Sequence, residues 1–559
     1  LEGDVAQELP LIAVFSGPNA TIQNSPPLLT SRSDGAGPEA SENGSGQILR
    51  PQRLARPVRV YIEAFTAHPL EADSRELYGA PDGFLDQNGE FKTEEIEGGI
   101  PVYTVELLPD DGLYLLPYLA RRRDGKPWDG SETGPGTDPE HVRQTFYPDA
   151  SRIYEEIDRF GLAGPGGSDA LRTQARFRFF RAIPPAGYLK GLPSWARPDE
   201  GSGDIAPERV GRDYFPYEPL HLRAEPPLEM LAKATNLVQN VLSSGDYLGA
   251  QWLESSTTIE ETLYWLSLLV DSVLPIVGHS AQRSHGTLGA DGDQNIVDGV
   301  TYIVSGVWRG TGGADIAGPV LVADECVFAA RNVVKTDARP GNYVAVGGPG
   351  GPIGRVGGDV APLLAQVPVW RHTSASDVRL TMLPYKVRGV RRTAGESLVE
   401  LVDVAVKDGS GQLLGAAMPT VHIQKFAAYR AGPEDVAGLG NLLDLLLGSA
   451  PLAGFVGEGS SPYGRLDPMT DAVLRRAVYS GLPVAKCGRG NTGGFVPKSD
   501  PDFVAGSNLT ASKARMLLMA SLLRLGALPP ARDPDCPTDS EIANTRRAVA
   551  RYQQIFDEH

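Results

Sequence analysis

Cysteine is nearly absent: 559 residues hold three, Cys326, Cys487 and Cys536, far apart and odd in number. That excludes a disulfide framework and any pair of cysteines at metal-ligand spacing. Histidine is sparse as well. The eight are scattered and none stands in an HExxH-type pattern; His279 and His285 share one loop, which is weak ground for a metal, so no metal and no other cofactor is expected. No apolar run is long enough to span a bilayer, and no membrane partner is expected. Basic residues are the minority, 52 against 69 acidic, a formal net charge of −17. A field of that sign repels a phosphate backbone and argues against nucleic acid as a partner. The chain starts at Leu1 with no charged-then-apolar leader, so a cytoplasmic location is expected, with a processed secreted form as the alternative.

What is present is the pattern of a globular α/β protein, 41% hydrophobic and 22% charged. Short apolar runs such as LPLIAVFSG (9–17), YLGAQWLESS (247–256), VLPIVGHS (273–280) and GPVLVADECVFAARNV (318–333) each read as a buried strand. Helical stretches lie between them, PLEMLAKATNLVQNVL (227–242) and EETLYWLSLLVD (260–271). Strand, helix and strand with short links imply crossover units and a parallel sheet, whose ligands bind beyond the carboxyl ends of the strands. Residues 25–215 break this rhythm with a Pro/Gly/Ser-rich loop (24–47) and alternating stretches such as ARFRFFRAI (175–183). The alternation Arg176, Phe177, Arg178, Phe179 could serve base stacking; the acidic chain favours a half-buried strand with its arginines in water. The expected architecture is two α/β domains with mainly parallel sheets plus a large irregular, β-containing insertion. The first domain covers 1–358 with the insertion at about 25–215, a linker covers 359–385, and the second domain covers 386–559. The last of these should close on a long helix over 510–525 and a short one over 545–559.

Three places offer chemistry. In ESSTTIEETLYWL (254–266), four hydroxyl residues precede an apolar helix, and Thr257 with Glu260 and Thr258 with Glu261 each fit a capping box. Capping explains those residues but not Ser255 and Ser256 at a strand end, beside the positive pole of a helix. In VFSGPNATIQN (14–24), Thr21 follows a strand and a Gly-Pro turn, where its hydroxyl is either a nucleophile or a turn residue. In RNVVKTD (331–337), Lys335 follows a strand and is either a partly buried amine that draws a proton or a surface lysine. Taken singly, the bland reading prevails at each.

Taken in order, the segments resemble the bacterial L-asparaginase/glutaminase family. Ser16-Gly17-Pro18-Asn19-Ala20-Thr21-Ile22 looks like the family's TGGTIA turn with two extra residues, and Glu254 to Thr262 looks like HGTDTxEET. VGHSAQRS and GADGDQN (289–295) stand where VGAxRP and SADGPxN are expected, and Arg331 to Thr336 matches RxVxKT. The resemblance covers about 10–23 and 220–559. It implies an amidohydrolase that works through an acyl-enzyme and needs no cofactor. By position Thr21 is the first nucleophile, Ser256 replaces the second catalytic threonine, and Lys335 is the lysine paired with it. Ser255 and Thr257 would contact the substrate, and N–H groups near Ala281 and at the helix start would hold the oxyanion. Such proteins assemble, so a homo-oligomer, tetramer or dimer, is expected.

Three departures bear on the substrate. Thr257 stands where the family has the aspartate that binds an α-ammonium, and Glu254 stands where it has histidine. No tyrosine occurs between Thr21 and Tyr61, where the family has one. A neutral hydroxyl cannot pair with an ammonium, so the expected small-molecule substrate is an amide, lactam or imide other than free asparagine. A true asparaginase and a non-catalytic or ammonia-delivering subunit are the alternatives.

Overall fold

The computed structural model describes residues 9–17, 30–32, 48–50, 58–64, 83–86, 90–107, 119–121, 142–145, 154, 157–158, 170–181, 228–256, 258–283, 289–345, 351–357, 361–368, 378–392, 398–427, 434–490 and 496–559. Its centre is an eight-stranded sheet. Strand β1 (Leu11–Ser16) pairs in parallel with β2 (Arg176–Arg181) on one side and β3 (Gly249–Leu253) on the other. Parallel β4 (Ile276–His279) and β5 (Val320–Ala323) follow. The sheet then turns antiparallel through β6 (Cys326–Ala329), and β7 (Val333–Lys335) and β8 (Tyr343–Ala345) form a separate antiparallel ribbon. Short strands β9 (Gly354–Arg355) and β10 (Leu363–Leu364) close the central sheet beyond β6.

Helices α1 (Leu228–Ser243), α2 (Ile259–Leu269) and α3 (Gly292–Ser305) connect these strands as crossover units require. The fully apolar face of α2 is driven onto the sheet: Ile259, Leu263, Trp265, Leu266 and Leu269 are all at 0% exposure. Gly278 makes this approach possible, since a Cβ there would stand 2.2 Å from Leu263 Cδ1. Burying each such side chain contributes about 1.5–3 kcal/mol before the entropy of ordering it is set against that gain.

The second unit pairs the antiparallel strands β11 (Lys386–Arg392) and β12 (Val399–Ala405). Its four-stranded parallel sheet is β13 (Thr420–Lys425), β14 (Ala453–Gly459), β15 (Val484–Gly488) and β16 (Val504–Ala505). Helices α4 (Glu434–Ser449), α5 (Pro468–Tyr479), α6 (Ala511–Leu525) and α7 (Asp539–Glu558) complete it. One apolar cluster runs through both units, from Phe15 and Trp265 to Leu517 and Phe556. The fold is therefore the expected α/β arrangement with a mainly parallel central sheet. Between β1 and β2 the insertion contributes a six-stranded, mostly antiparallel sheet from strands within 58–145. The loop over 33–47 lies outside the described residues.

Three expectations are corrected. Residues 318–333 are not one strand but the hairpin β5–β6, turned at Asp324 (φ 52°) and Glu325 (φ 60°). Left-handed non-glycine residues gave the pattern no turn signal. The stretch 176–181, read as part of the insertion, belongs to the central sheet: Phe180 is fully buried and stacks on Phe15 with ring centroids 5.1 Å apart, while Arg176 and Arg178 face water. The final helix is not short. It starts at Asp539 under a complete Thr538–Glu541 capping box and runs 20 residues, longer than α6. Among the described residues no helix is long and apolar enough to cross a membrane.

Candidate active site

Strand register decides where the site lies. Ser16, Leu253 and His279 end their strands side by side. The ladder continues one step further, with Gly17 N–H donating to Leu253 O (2.7 Å) and Glu254 N–H to His279 O (3.2 Å). The segments after β1, β3 and β4 therefore leave one edge of the sheet together, at its carboxyl end, where such sheets place their ligands. Thr21 would lie four residues beyond Gly17; it is outside the described residues, as is Thr257.

Ser255 and Ser256 occupy the turn between β3 and α2, both half-buried. The Ser255 carbonyl accepts the N–H groups of Thr258 (3.2 Å) and Ile259 (3.1 Å) and so starts the helix. The expected capping box at Thr258 does not form. Thr258 is the N-cap by position, but its side chain makes no cap hydrogen bond; its hydroxyl bonds Glu254 instead. Glu254 is the knot of this turn, 3% exposed. Its carboxyl accepts Trp252 Nε1–H (2.6 Å) and the Thr262 hydroxyl (2.9 Å), tying the strand end to the first turns of α2. Burial is the largest influence on it and pushes its pKa up to about 7, against these hydrogen bonds.

Ser256 Oγ donates to Gln282 Oε1 at 3.4 Å. Gln282 lies just past Ala281 at the end of β4, and its N–H, with that of Arg283, donates to the carboxylate of Asp291 (3.0–3.1 Å). The N–H groups immediately after Ala281 are thus already engaged, and the same holds for those of Thr258 and Ile259. The half-buried Ala281 also touches the start of α3: a Cβ on Gly292 would stand 2.8 Å from Ala281 Cβ.

Lys335 ends β7. Its Nζ donates to the Arg339 carbonyl (2.7 Å) and lies 4.7 Å from the Tyr343 ring centroid. Its own N–H donates to Glu260 Oε2 (3.1 Å). Partial burial lowers its pKa, with Asp291 and Asp337 acting in the opposite sense. The buried Tyr343 hydroxyl shares a short hydrogen bond with Ser280 Oγ. In this conformation Ser256 and Lys335 are bonded to different partners, and Asp291, which holds the Gln282 N–H, acts by its charge on Lys335. Sequence reasoning missed Gln282, Asp291, Glu260, Ser280 and Tyr343. Asp291 stood inside the quoted GADGDQN stretch; Tyr343 reaches Lys335 only because the ribbon folds back across eight residues, and nothing local marks that.

His279, Gln251 and Tyr154 sit deeper. Gln251 Nε2 lies 2.9 Å from His279 Nε2 and 2.9 Å from the Ile296 carbonyl, and its Oε1 accepts the Tyr154 hydroxyl. Burial lowers the His279 pKa to about 3, so it is a neutral core residue. Among the described residues no group of three or more His, Cys, Asp or Glu side chains is placed to hold a metal.

A family model described as asparaginase, N-terminal, matches residues 229–363, the span from α1 to β10 that carries Ser256 and Lys335. L-asparaginase 2 of Bacillus subtilis (strain 168) is 24% identical over 299 residues, 53% of this chain and 66% of that protein. L-asparaginase of Bacillus licheniformis is 33% identical over 135 residues, 24% of this chain and 39% of that protein. The chain thus spans just under two thirds of one curated relative and about two fifths of the other. Among solved structures, a probable cytoplasmic L-asparaginase from Campylobacter jejuni is similar at 18% identity and a TM-score of 0.45, covering 70% of this chain and 93% of that one. With the matched span and both sequence relatives in agreement, residues 229–363 are similar to the N-terminal domain of the asparaginase family.

Proposed function

We propose that this chain is a hydrolase that cleaves the carbon–nitrogen bond of an amide, lactam or imide through an acyl-enzyme on Thr21. The observation that supports it most is the convergence of Ser256, Gln282, Asp291 and Lys335 at the carboxyl edge of the sheet into which β1, the strand leading to Thr21, is built. In this reading Thr21 Oγ attacks the carbonyl carbon, the C–N bond breaks, and the hydroxyl proton leaves with the amine. Water then cleaves the ester, passing a proton through Ser256 toward Lys335, whose lowered pKa suits a proton acceptor, and that proton returns to Thr21 Oγ as the ester bond breaks and the acid is released. For that step Lys335 Nζ must exchange its bond to the Arg339 carbonyl for one toward Ser256. Ser255, Thr257 and Ala281 are the residues proposed to contact the substrate. With Thr257 in place of a carboxylate, the substrate carries no α-ammonium needing a charged partner.

Free asparagine is the competing substrate, favoured by the similarity to the two Bacillus L-asparaginases. Purified protein offered asparagine and a panel of N-substituted amides, lactams and cyclic imides separates the two by which one releases ammonia or amine. Thr21→Ala should abolish the activity. Undiminished turnover in the Thr21→Ala/Ser256→Ala double variant would overturn the acyl-enzyme. Assembly as a dimer or tetramer, and indifference to nucleic acid, complete the proposal.

A further inference from the structure

Glu261 forms no capping box with Thr258. Glu260 and Glu261 lie in the first turn of α2, and both feel charges of the second unit. Glu261 is 3.7 Å from Arg515 Nη1. Glu260 is acted on by the charge of Lys513, one turn into α6 and 1% exposed. Lys513 Nζ donates to the Ala330 carbonyl and lies 5.6 Å from the Tyr264 ring centroid. Its neighbour in that turn, Arg331, donates to the His559 carbonyl and to Asn508 Oδ1 (3.0 Å), again in the second unit. The turn that feeds β7 is therefore held from the far side by α6 and α7. On the near side, the Glu260 carboxylate accepts the N–H of Lys335 itself.

One carboxylate thus stands four residues after Ser256, bonds the backbone of Lys335, and feels the charge of buried Lys513 in the other unit. An ionised side chain is costly to bury and holds its place only with its partners.

We infer that Glu260 is a positioning residue: together with Lys513 it sets the separation of the Ser256 turn and the Lys335 strand, so that the C-terminal unit holds the active site of the N-terminal unit in register. The inference rests on the proposed roles of Ser256 and Lys335. Its test therefore has two readouts, turnover of the best amide substrate and hydrogen exchange at the Lys335 amide. Glu260→Ala should lower kcat about a hundredfold with KM within about threefold, the signature of misplaced rather than missing chemistry. It should also speed Lys335 exchange by at least about tenfold. Glu260→Gln keeps an acceptor for the Lys335 N–H and should recover exchange protection and most of kcat. Lys513→Met, which removes the charge and the bond to the Ala330 carbonyl, should fall between, and it carries the test where Glu260→Ala does not fold. If neither Glu260→Ala nor Lys513→Met alters Lys335 exchange, or if both keep wild-type kcat, the inference is wrong. If the wild-type protein turns over no amide while exchange still depends on Glu260, the brace stands and the catalytic reading fails.

Discussion

Two helices of this chain start with the same four-residue pattern, and only one uses it. Thr538-Asp539-Ser540-Glu541 forms a complete capping box: the Thr538 side chain accepts Glu541 N–H, and the Glu541 carboxylate accepts Thr538 N–H (2.8 Å). Thr258-Ile259-Glu260-Glu261 has the same spacing and forms none. Its threonine turns back to buried Glu254 and its glutamate reaches Arg515 on another helix. The first start lies in water, where the nearest partners are its own backbone groups. The second lies at the junction of a sheet edge and two packed units, where stronger partners are close. A capping pattern therefore signals where a helix begins, and the surroundings decide whether the side chains remain available for other work.

That contrast can be broken by experiment. The largest effect should come from Ser256→Ala: a loss of amide turnover on the order of a thousandfold, about 4 kcal/mol of transition-state stabilisation, with the melting temperature nearly unchanged. A variant that melts early but keeps its specific activity would make this turn structural, like the one at Thr538.

Glu254 should mark the same turn by pH. Burial raises its pKa from 4.5 to about 7, so in that window the folded protein keeps a proton that the unfolded chain has released. Its contribution is full below pH 4.5 and is lost as pH rises toward 7, roughly 3 kcal/mol in total. Buried Asp315 and Asp298, raised to about 7 and about 6, add the same slope elsewhere. Urea unfolding at pH 5 and pH 7.5 should show the decline in the wild type and a shallower one in Glu254→Gln. Equal slopes would mean that Glu254 is not the buried acid described.

Smaller effects separate the two threonines. Thr538→Ala should cost about 1 kcal/mol at any pH near neutral, the ordinary loss of a cap. Thr258→Ala has no cap to lose; it should instead move the Glu254 transition to higher pH, because the hydroxyl bond that opposes burial is gone. Smallest of all, Arg515→Met should cost roughly 0.5 kcal/mol, diminishing with salt, since its pair with Glu261 is partly exposed.

Much of the fold was legible because its signals are local. The apolar runs at 9–17, 247–256 and 273–280 became β1, β3 and β4, and Thr510, whose side chain accepts Lys513 N–H, caps α6 where the pattern placed its start. The strand at 176–181 was legible as a strand but not as the neighbour of β1, because its partner lies about 165 residues away. The hairpin at Asp324 and Glu325 was hidden for the opposite reason: its turn uses residue types that seldom adopt positive φ. In the site, Ser256 and Lys335 stood out because residue type and motif order carried them. Gln282, Tyr343 and Glu260 did not, since each acts through a partner on another element.

The sequence by itself determined the strand–helix alternation, the helix starts and the order of hydroxyl, acid and lysine segments, because propensity, periodicity and spacing act over a few residues. Only the tertiary structure decided that Glu254 is a buried acid, that Thr258 does not cap, and that the Glu260 carboxylate accepts the Lys335 N–H. Those outcomes depend on which groups are brought out of water together, and burial is a property of the packed chain rather than of any segment of it.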